Sequence, residues 1–263
     1  MSFFREILIN KQLKRISKLL KGLSKSGQKG VAWLIDPEKH QVNTQFDWIE
    51  NSGLDLILVG GSGGTTEAIN FTIRSLKRYS GNIPICIFPG SKHQVTDQAD
   101  GILFLSLISG TNAEYLITQQ AEGALAVEHL GLEILSTGYL LVNEGEMLSV
   151  HKASNTLPLL NTEVERIRSI ALAGKYLGLK YFYLEAGSGA KVPVAHTVIQ
   201  TVKKTVKSPL IVGGGLDSLE KVKKAFDAGA DLVVLGNAIE KDPGFLAEVL
   251  KAKRWYNQLL NIN

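Results

Sequence analysis

Cysteine, long apolar runs and interdomain linkers are what this 263-residue chain has least of, and each shortage excludes something. Its one cysteine, Cys86, lies inside the run IPICIF (83–88), so no intramolecular disulfide is available, and a small buried side chain in a reducing compartment is the simplest use of it. No stretch approaches the ~18 uninterrupted apolar residues of a membrane span. The N-terminus has no apolar segment ending in a small-residue cleavage site, and a cytoplasmic protein is expected. No Pro/Ser-rich or low-complexity tract interrupts the chain, so residues 1–263 are expected to form one domain, with 1–30 as an N-terminal extension. Acidic residues are missing between Lys11 and Lys29, where seven of the 29 basic residues fall. The formal charge of +4 and pI near 9.0 therefore come from one segment, and the remainder is slightly acidic. A nucleic-acid-binding body would carry a basic stripe across the fold, so that class of partner is not expected.

What is present is a repeat of short apolar runs rich in β-branched residues. There are eight: VAWLID (31–36), LDLILVGG (54–61), IPICIFPG (83–90), GILFLSL (101–107), GYLLVN (138–143), KYFYLEAG (180–187), PLIVGGG (209–215) and DLVVLGNA (231–238). Continuous apolar strands of this kind suit a parallel sheet covered on both faces. Segments between them, such as TTEAINFTIRSLKRYSGN, TEVERIRSIALAGKYLGL and SLEKVKKAFDAGA, space their apolar residues at three and four as covering helices do. Eight strand–helix units in about 250 residues is the size of a TIM (β/α)8 barrel. Only SKHQVTDQAD (91–100) separates the third and fourth runs, too little for a full crossover helix, so a shortened or missing third helix is expected. Ahead of the barrel, Ile7, Leu8, Leu13, Ile16, Leu19, Leu20 and Leu23 form an apolar stripe opposite lysines and Arg15. An amphipathic helix over 7–23 either closes the bottom of the barrel or makes a peripheral contact with an anionic membrane surface.

The ligand site of such a barrel lies at the C-terminal ends of its strands, with phosphate often held by the loops after the seventh and eighth. Those loops carry Gly213, Gly214 and Gly215, then Gly236 and Asn237, so bare N–H groups face the site without a lysine above them. Glycines also simply permit tight turns; two such loops in the expected places point to a phosphorylated ligand. The first run ends in LIDPEK, with Asp36 before Pro37, and the second in VGGSGGTTEA, with Ser62 in a glycine loop. A helix cap and a capped turn would account for both, but oxygen donors on adjacent strand ends also suit Mg2+ shared with substrate phosphates. Glu185, in YFYLEAGSGA (181–190), stands between these anion sites. Unless it pairs with Lys180 or Lys191, a polyol is the neutral group that fits there, its hydroxyls donating to Glu185 and Tyr183 and one of them losing its proton to the carboxylate.

Together, LIDPEK, VGGSGGTT, YLEAGSG, VGGGLDS and LGNAIE resemble the geranylgeranylglyceryl phosphate synthase family, with its heptaprenyl relatives, over roughly residues 31–250. The resemblance implies a Mg2+-dependent prenyltransferase that joins sn-glycerol 1-phosphate to a polyprenyl diphosphate, geranylgeranyl diphosphate foremost, through an ether bond with release of pyrophosphate. It implies that Asp36 and Ser62 hold magnesium and the diphosphate. Tyr183, Glu185 and Gly187 would hold glycerol phosphate, with Glu185 on its hydroxyls as the proton acceptor, and Gly213, Gly215, Gly236 and Asn237 would bind the phosphate. It also implies a homo-oligomer, dimer or hexamer. Leu103, Phe104, Leu105 and Leu107 are candidates to line a prenyl groove. Two alternatives stay open: another phosphate-binding barrel enzyme, such as a sugar-phosphate isomerase or synthase, and a non-catalytic barrel that binds glycerol phosphate or phospholipid.

Overall fold

The computed structural model describes residues 14–39, 48–61 and 63–260. Eight parallel strands form the barrel: β1 (Gly30–Ile35), β2 (Leu56–Gly60), β3 (Ile85–Phe88), β4 (Gly101–Leu107), β5 (Glu133–Asn143), β6 (Tyr181–Glu185), β7 (Leu210–Gly213) and β8 (Leu232–Leu235). Each pairs with its sequence neighbour, and β8 closes the ring on β1 with Gly30 opposite Leu232 and Trp33 opposite Leu235. A two-residue strand, Leu159–Leu160, adds to the end of β5 outside the ring. All eight runs read from the sequence are barrel strands.

The described helices are α1 (Arg15–Ser26), α2 (Thr66–Lys77), α3 (Gln119–Leu130), α4 (Ser149–Ser154), α5 (Val164–Tyr176), α6 (His196–Val206), α7 (Leu219–Ala228), α8 (Asn237–Lys241) and α9 (Pro243–Leu259). A single π-helical turn, Glu114–Thr118, leads into α3. Residues 89–100, between β3 and β4, contain no helix, as the short spacing requires. A gap in the outer layer results.

Strand alternation divides the core in two. Ala32, Leu56, Leu58, Leu103, Leu135, Tyr181 and Tyr183 point into the barrel, whereas Val31, Trp33, Ile57, Val59, Ile102, Phe182 and Leu184 pack under the helices. Both faces are apolar, which is why the strands read as continuous runs rather than alternating ones. The starts of the strands are tied by aspartates: Asp55 accepts from the Val31 N–H at 2.8 Å, Asp100 from Ile85 at 2.7 Å and Asp231 from Leu210 at 2.7 Å. Lys253 and Lys203 pair with Asp55 and Asp231 at 2.8 and 2.6 Å, joining α9 and α6 to the barrel bottom.

Helix α1 is the floor of the barrel. Its Ile16, Leu20 and Leu23 are buried in the inner cluster with Leu56 and Leu135, and Lys18, Lys21 and Lys25 stay in water. Glu133, a buried acid at the start of β5, accepts from the Ile16 and Ser17 N–H groups at 2.8 and 2.7 Å and from the Ser17 hydroxyl. A carboxylate at a helix N-terminus meets both the unpaired donors and the dipole. Of the stripe read from the sequence, residues 7–13 lie outside the described residues; the apolar face from Ile16 to Leu23 is spent on the barrel. Glu133→Ala should therefore lower stability by about 2–4 kcal/mol, since it leaves a buried and a partly buried backbone donor unpaired. Thermal unfolding checks the size, and limited proteolysis should find α1 cleaved first.

Candidate active site

The strand ends opposite α1 open into a cavity of about 410 Å3. Asp36, Tyr183, Glu185, Gly215, Gly236 and Asn237 all line it, as does Gly214. Gly187 and Gly213 lie behind this wall, and Ser62 falls outside the described residues. Residues from β1, β6, β7 and β8 that are far apart in sequence thus share one chamber.

Glu185, the last residue of β6, is buried, and it accepts from the Gly187 N–H at 2.7 Å, not from Lys180 or Lys191. Burial in this setting pushes its carboxyl up to about 7, against the opposing effects of the Gly187 N–H and the Tyr183 phenol. Tyr183 lies two residues earlier on the same inward face, wholly buried, and its hydroxyl has no hydrogen bond of acceptable geometry. Burial first, then the neighbouring Glu185 charge, holds that phenol well above its ordinary pKa. A buried hydroxyl without a partner beside a buried carboxylate is a polar pair waiting for a polar ligand. Its ring is fixed by Phe88 and Tyr139, with centroids 5.6 and 5.4 Å away. These two aromatics also line the cavity and were not picked out from the sequence.

The glycines of β7 make room for the pair. A Cβ on Gly213 would lie 2.5 Å from the Tyr183 hydroxyl and 3.0 Å from Glu185 Oε2. On Gly214, whose φ is +78°, a Cβ would collide with Glu185 Oε1 and stand 2.6 Å from the Gly187 nitrogen. Gly214→Ala combines backbone strain with that clash. With the glycerol phosphate that the resemblance implies as titrant, binding should be lost in calorimetry while the protein still folds. The loop after β6 is anchored by Asn143 from the end of β5, which donates to the Ala186 carbonyl at 3.0 Å and is itself buried. Across the mouth, Asn237 donates to the Ser188 hydroxyl at 3.0 Å, joining the loops after β6 and β8.

On the opposite side, Asp36 is partly open to the cavity, and its Oδ1 accepts from the Glu38 N–H at 3.1 Å. Pro37 to Lys39 form a turn, and Gly61 lies alongside with no side chain to shield the carboxylate. Lys39 corrects the expectation that no lysine stands over the phosphate loops: its ammonium reaches Asn237 Oδ1 at 2.9 Å and Glu240 at 3.3 Å. The signal was in LIDPEK, but only the turn brings the lysine back across the mouth. Among the described residues, no group of three or more His, Cys, Asp or Glu side chains gathers as a closed metal cage.

The cavity does not end at the polar chamber. Its lining also includes Phe88, Leu103, Phe104, Leu105 and Leu107 of β3 and β4, Val95 of the helix-free connection, and Gln119, Gly123 and Val127 of α3. Gly123 on α3 lines this part of the cavity beside Lys92. The four residues expected to line a prenyl groove all lie here.

A polar chamber built by glycine loops, opening into an apolar passage, is the setting in which the family match falls: the PcrB family model covers residues 28–253. The chain belongs to the PcrB family. It is 47% identical over 219 residues to a geranylgeranylglyceryl phosphate synthase of Zunongwangia profunda, covering 82% of this chain and 93% of that one. A protein of the same name from Spirosoma linguale is 41% identical over 243 residues, with 91% and 97% covered. Among solved structures, (S)-3-O-geranylgeranylglyceryl phosphate synthase of Thermoplasma acidophilum in complex with sn-glycerol-1-phosphate superposes with a TM-score of 0.80 at 28% identity, over 88% of this chain and 96% of the other. The barrel of this PcrB family member therefore superposes on that of a protein solved with a glycerol phosphate.

Proposed function

We propose that the protein is a prenyltransferase of ether phospholipid biosynthesis, forming an ether bond between sn-glycerol 1-phosphate and a polyprenyl diphosphate, geranylgeranyl diphosphate foremost, with release of pyrophosphate. The observation that carries this reading is the continuity of the cavity, from Glu185 and Tyr183 over glycine loops into an apolar passage under α3. A small phosphorylated polyol fits the first part and a prenyl chain the second. The named relatives support it.

In this reading the phosphate of glycerol 1-phosphate rests on the backbone of Gly214, Gly215 and Gly236 with Asn237. Glu185 accepts hydrogen bonds from the glycerol hydroxyls, and Tyr183 gains the partner it lacks. With a carboxyl poised near 7, Glu185 is matched to taking the proton of the attacking C3 hydroxyl. The apolar walls and the aromatic floor of Phe88 and Tyr139 exclude water from the allylic C1 and so disfavour hydrolysis of the diphosphate. At the diphosphate end, Oδ2 of Asp36, which faces the Lys39 ammonium at 3.9 Å, is the donor this chain offers to Mg2+, together with Ser62 by the family resemblance. Asp36, with no closed cage of such ligands among the described residues, fits a hard cation that takes the rest of its ligands from substrate phosphates and water. Bound there, Mg2+ supplies charge to the departing pyrophosphate.

No described helix is long and apolar enough to cross a membrane. A cytoplasmic enzyme that loads its lipid substrate at the membrane surface is the corresponding placement. It works as a homo-oligomer, a dimer or hexamer; exposed Tyr176 and Leu177 at the end of α5 are apolar surface that the single chain leaves uncovered. The rival sugar-phosphate chemistry by an Asp/Cys pair finds no support, because Cys86 is wholly buried and its thiol is held protonated.

The test is mass spectrometry of an organic extract after incubation with sn-glycerol 1-phosphate, Mg2+ and prenyl diphosphates of increasing length, with a chelator as control. A prenylglyceryl phosphate whose yield peaks at one chain length and vanishes with chelator is the expected product.

A further inference from the structure

Lys39 is a charged side chain at the mouth to which the glycerol phosphate chemistry gives no role. Its ammonium lies 2.9 Å from Asn237 Oδ1, 3.3 Å from Glu240 Oε2 and 3.9 Å from Asp36 Oδ2. It lines the cavity between the ends of β1 and β8. Stability does not account for this arrangement: the lysine side chain is 50% exposed and its carboxylate partners 33% and 30%, and ion pairs that exposed contribute little to folding. Holding a long side chain in one place also costs rotamer entropy.

The partners say more. Because the Glu38 N–H occupies Asp36 Oδ1, the oxygen left for a cation is Oδ2, the one that Lys39 faces. Asn237, the nearest partner, belongs to the phosphate side of the site. A single ammonium therefore touches the residue read as the metal ligand and a residue read as a phosphate ligand, and it competes with a metal ion for the first.

We propose that Lys39 binds the diphosphate leaving group, held in reserve by Asp36, Glu240 and Asn237 until a cation occupies Asp36 and the prenyl diphosphate arrives. This rests on the prenyl-transfer reading. A cation at Oδ2 repels the ammonium, and the anion then nearest to it is the diphosphate over β1 and β2. In the reaction the bond between prenyl C1 and the diphosphate oxygen breaks, and its electron pair leaves on that oxygen. The glycerol C3 oxygen forms the new bond to C1, and its proton passes to Glu185. The departing diphosphate gains negative charge in that step. A lysine ammonium, compact and carrying three donors, meets that charge as it forms.

Calorimetric titration of inorganic pyrophosphate with Mg2+ into wild type, Lys39→Gln and Lys39→Arg tests this, beside titrations of sn-glycerol 1-phosphate into the same proteins. Pyrophosphate binding is expected to weaken about tenfold or more in Lys39→Gln, as loss of a charge-assisted contact requires, and to be largely restored in Lys39→Arg. Glycerol 1-phosphate affinity and the unfolding temperature are expected to stay at wild-type values, and the KM for prenyl diphosphate to rise. Equal pyrophosphate affinity in wild type and Lys39→Gln, or a loss confined to glycerol 1-phosphate, would overturn the assignment. Wild-type protein that neither binds pyrophosphate nor transfers a prenyl group would instead remove the prenyl-transfer reading beneath it.

Discussion

Glu185→Gln should cut the rate of prenyl transfer by about 10^2–10^4, the range a positioned general base contributes. Glutamine keeps the shape and can still meet the Gly187 N–H, so the barrel is expected to fold. The pH profile separates proton transfer from mere binding. The buried carboxyl of the free protein titrates at about 7, so wild-type kcat/KM should fall as pH drops below that value, and the residual activity of the variant should lack that limb. A second consequence concerns stability. A carboxyl whose folded-state value is raised binds its proton more tightly when folded, so its contribution is fully present below the unfolded value of 4.5 and is lost as pH rises through about 7. Above that pH the wild type carries a buried charge at a cost of about 3 kcal/mol, and the glutamine does not. Ligand-free Glu185→Gln should therefore melt higher than wild type at pH 8 and at the same temperature at pH 4. Such opposition between stability and activity is what a site held in wait for its ligand produces.

Asp36→Ala carries the other large effect. Loss of the carboxylate at the end of β1 is expected to reduce turnover by about 10^3 or more, because in the proposed function Asp36 holds the metal that would meet the charge of the departing pyrophosphate. Glycerol 1-phosphate binding, measured by calorimetry, should be unchanged, since Glu185, Tyr183 and the loops after β7 and β8 lie on the other side of the chamber. Near-normal turnover in this variant would show that Asp36 does not serve the diphosphate.

The barrel was legible because burial on both faces leaves strands as unbroken apolar runs, and the missing third helix was legible as ten residues that have no room for one. The glycine loops marked the top of the barrel for a similar reason: glycine lets backbone approach closely, and at Gly213 and Gly214 a Cβ would strike Tyr183, Glu185 and the Gly187 nitrogen. What stayed hidden depends on contacts between distant residues. The stripe of α1 was visible, but its partner was not, because Glu133 lies 117 residues from Ile16. Phe88 and Tyr139 look like any core aromatics until the ring closes and sets them around Tyr183. Asp55, Asp100 and Asp231 precede strands in the sequence like ordinary loop acids, and only the register shows that each ties the start of a neighbouring strand. Lys39 was in view in LIDPEK, yet its reach to Asn237 spans the joint between the first and last strands, which no local pattern encodes.

The proposed function requires one chamber to hold glycerol 1-phosphate by its hydroxyls and phosphate and to deliver it to a prenyl chain. Its most direct test is the transfer of label from sn-glycerol 1-phosphate into an organic extract in the presence of Mg2+ and geranylgeranyl diphosphate, run beside labelled sn-glycerol 3-phosphate. Label from the 1-phosphate well in excess of that from the 3-phosphate, and lost in Glu185→Gln, is the predicted result. Folded protein that yields no extractable label from either enantiomer would contradict it.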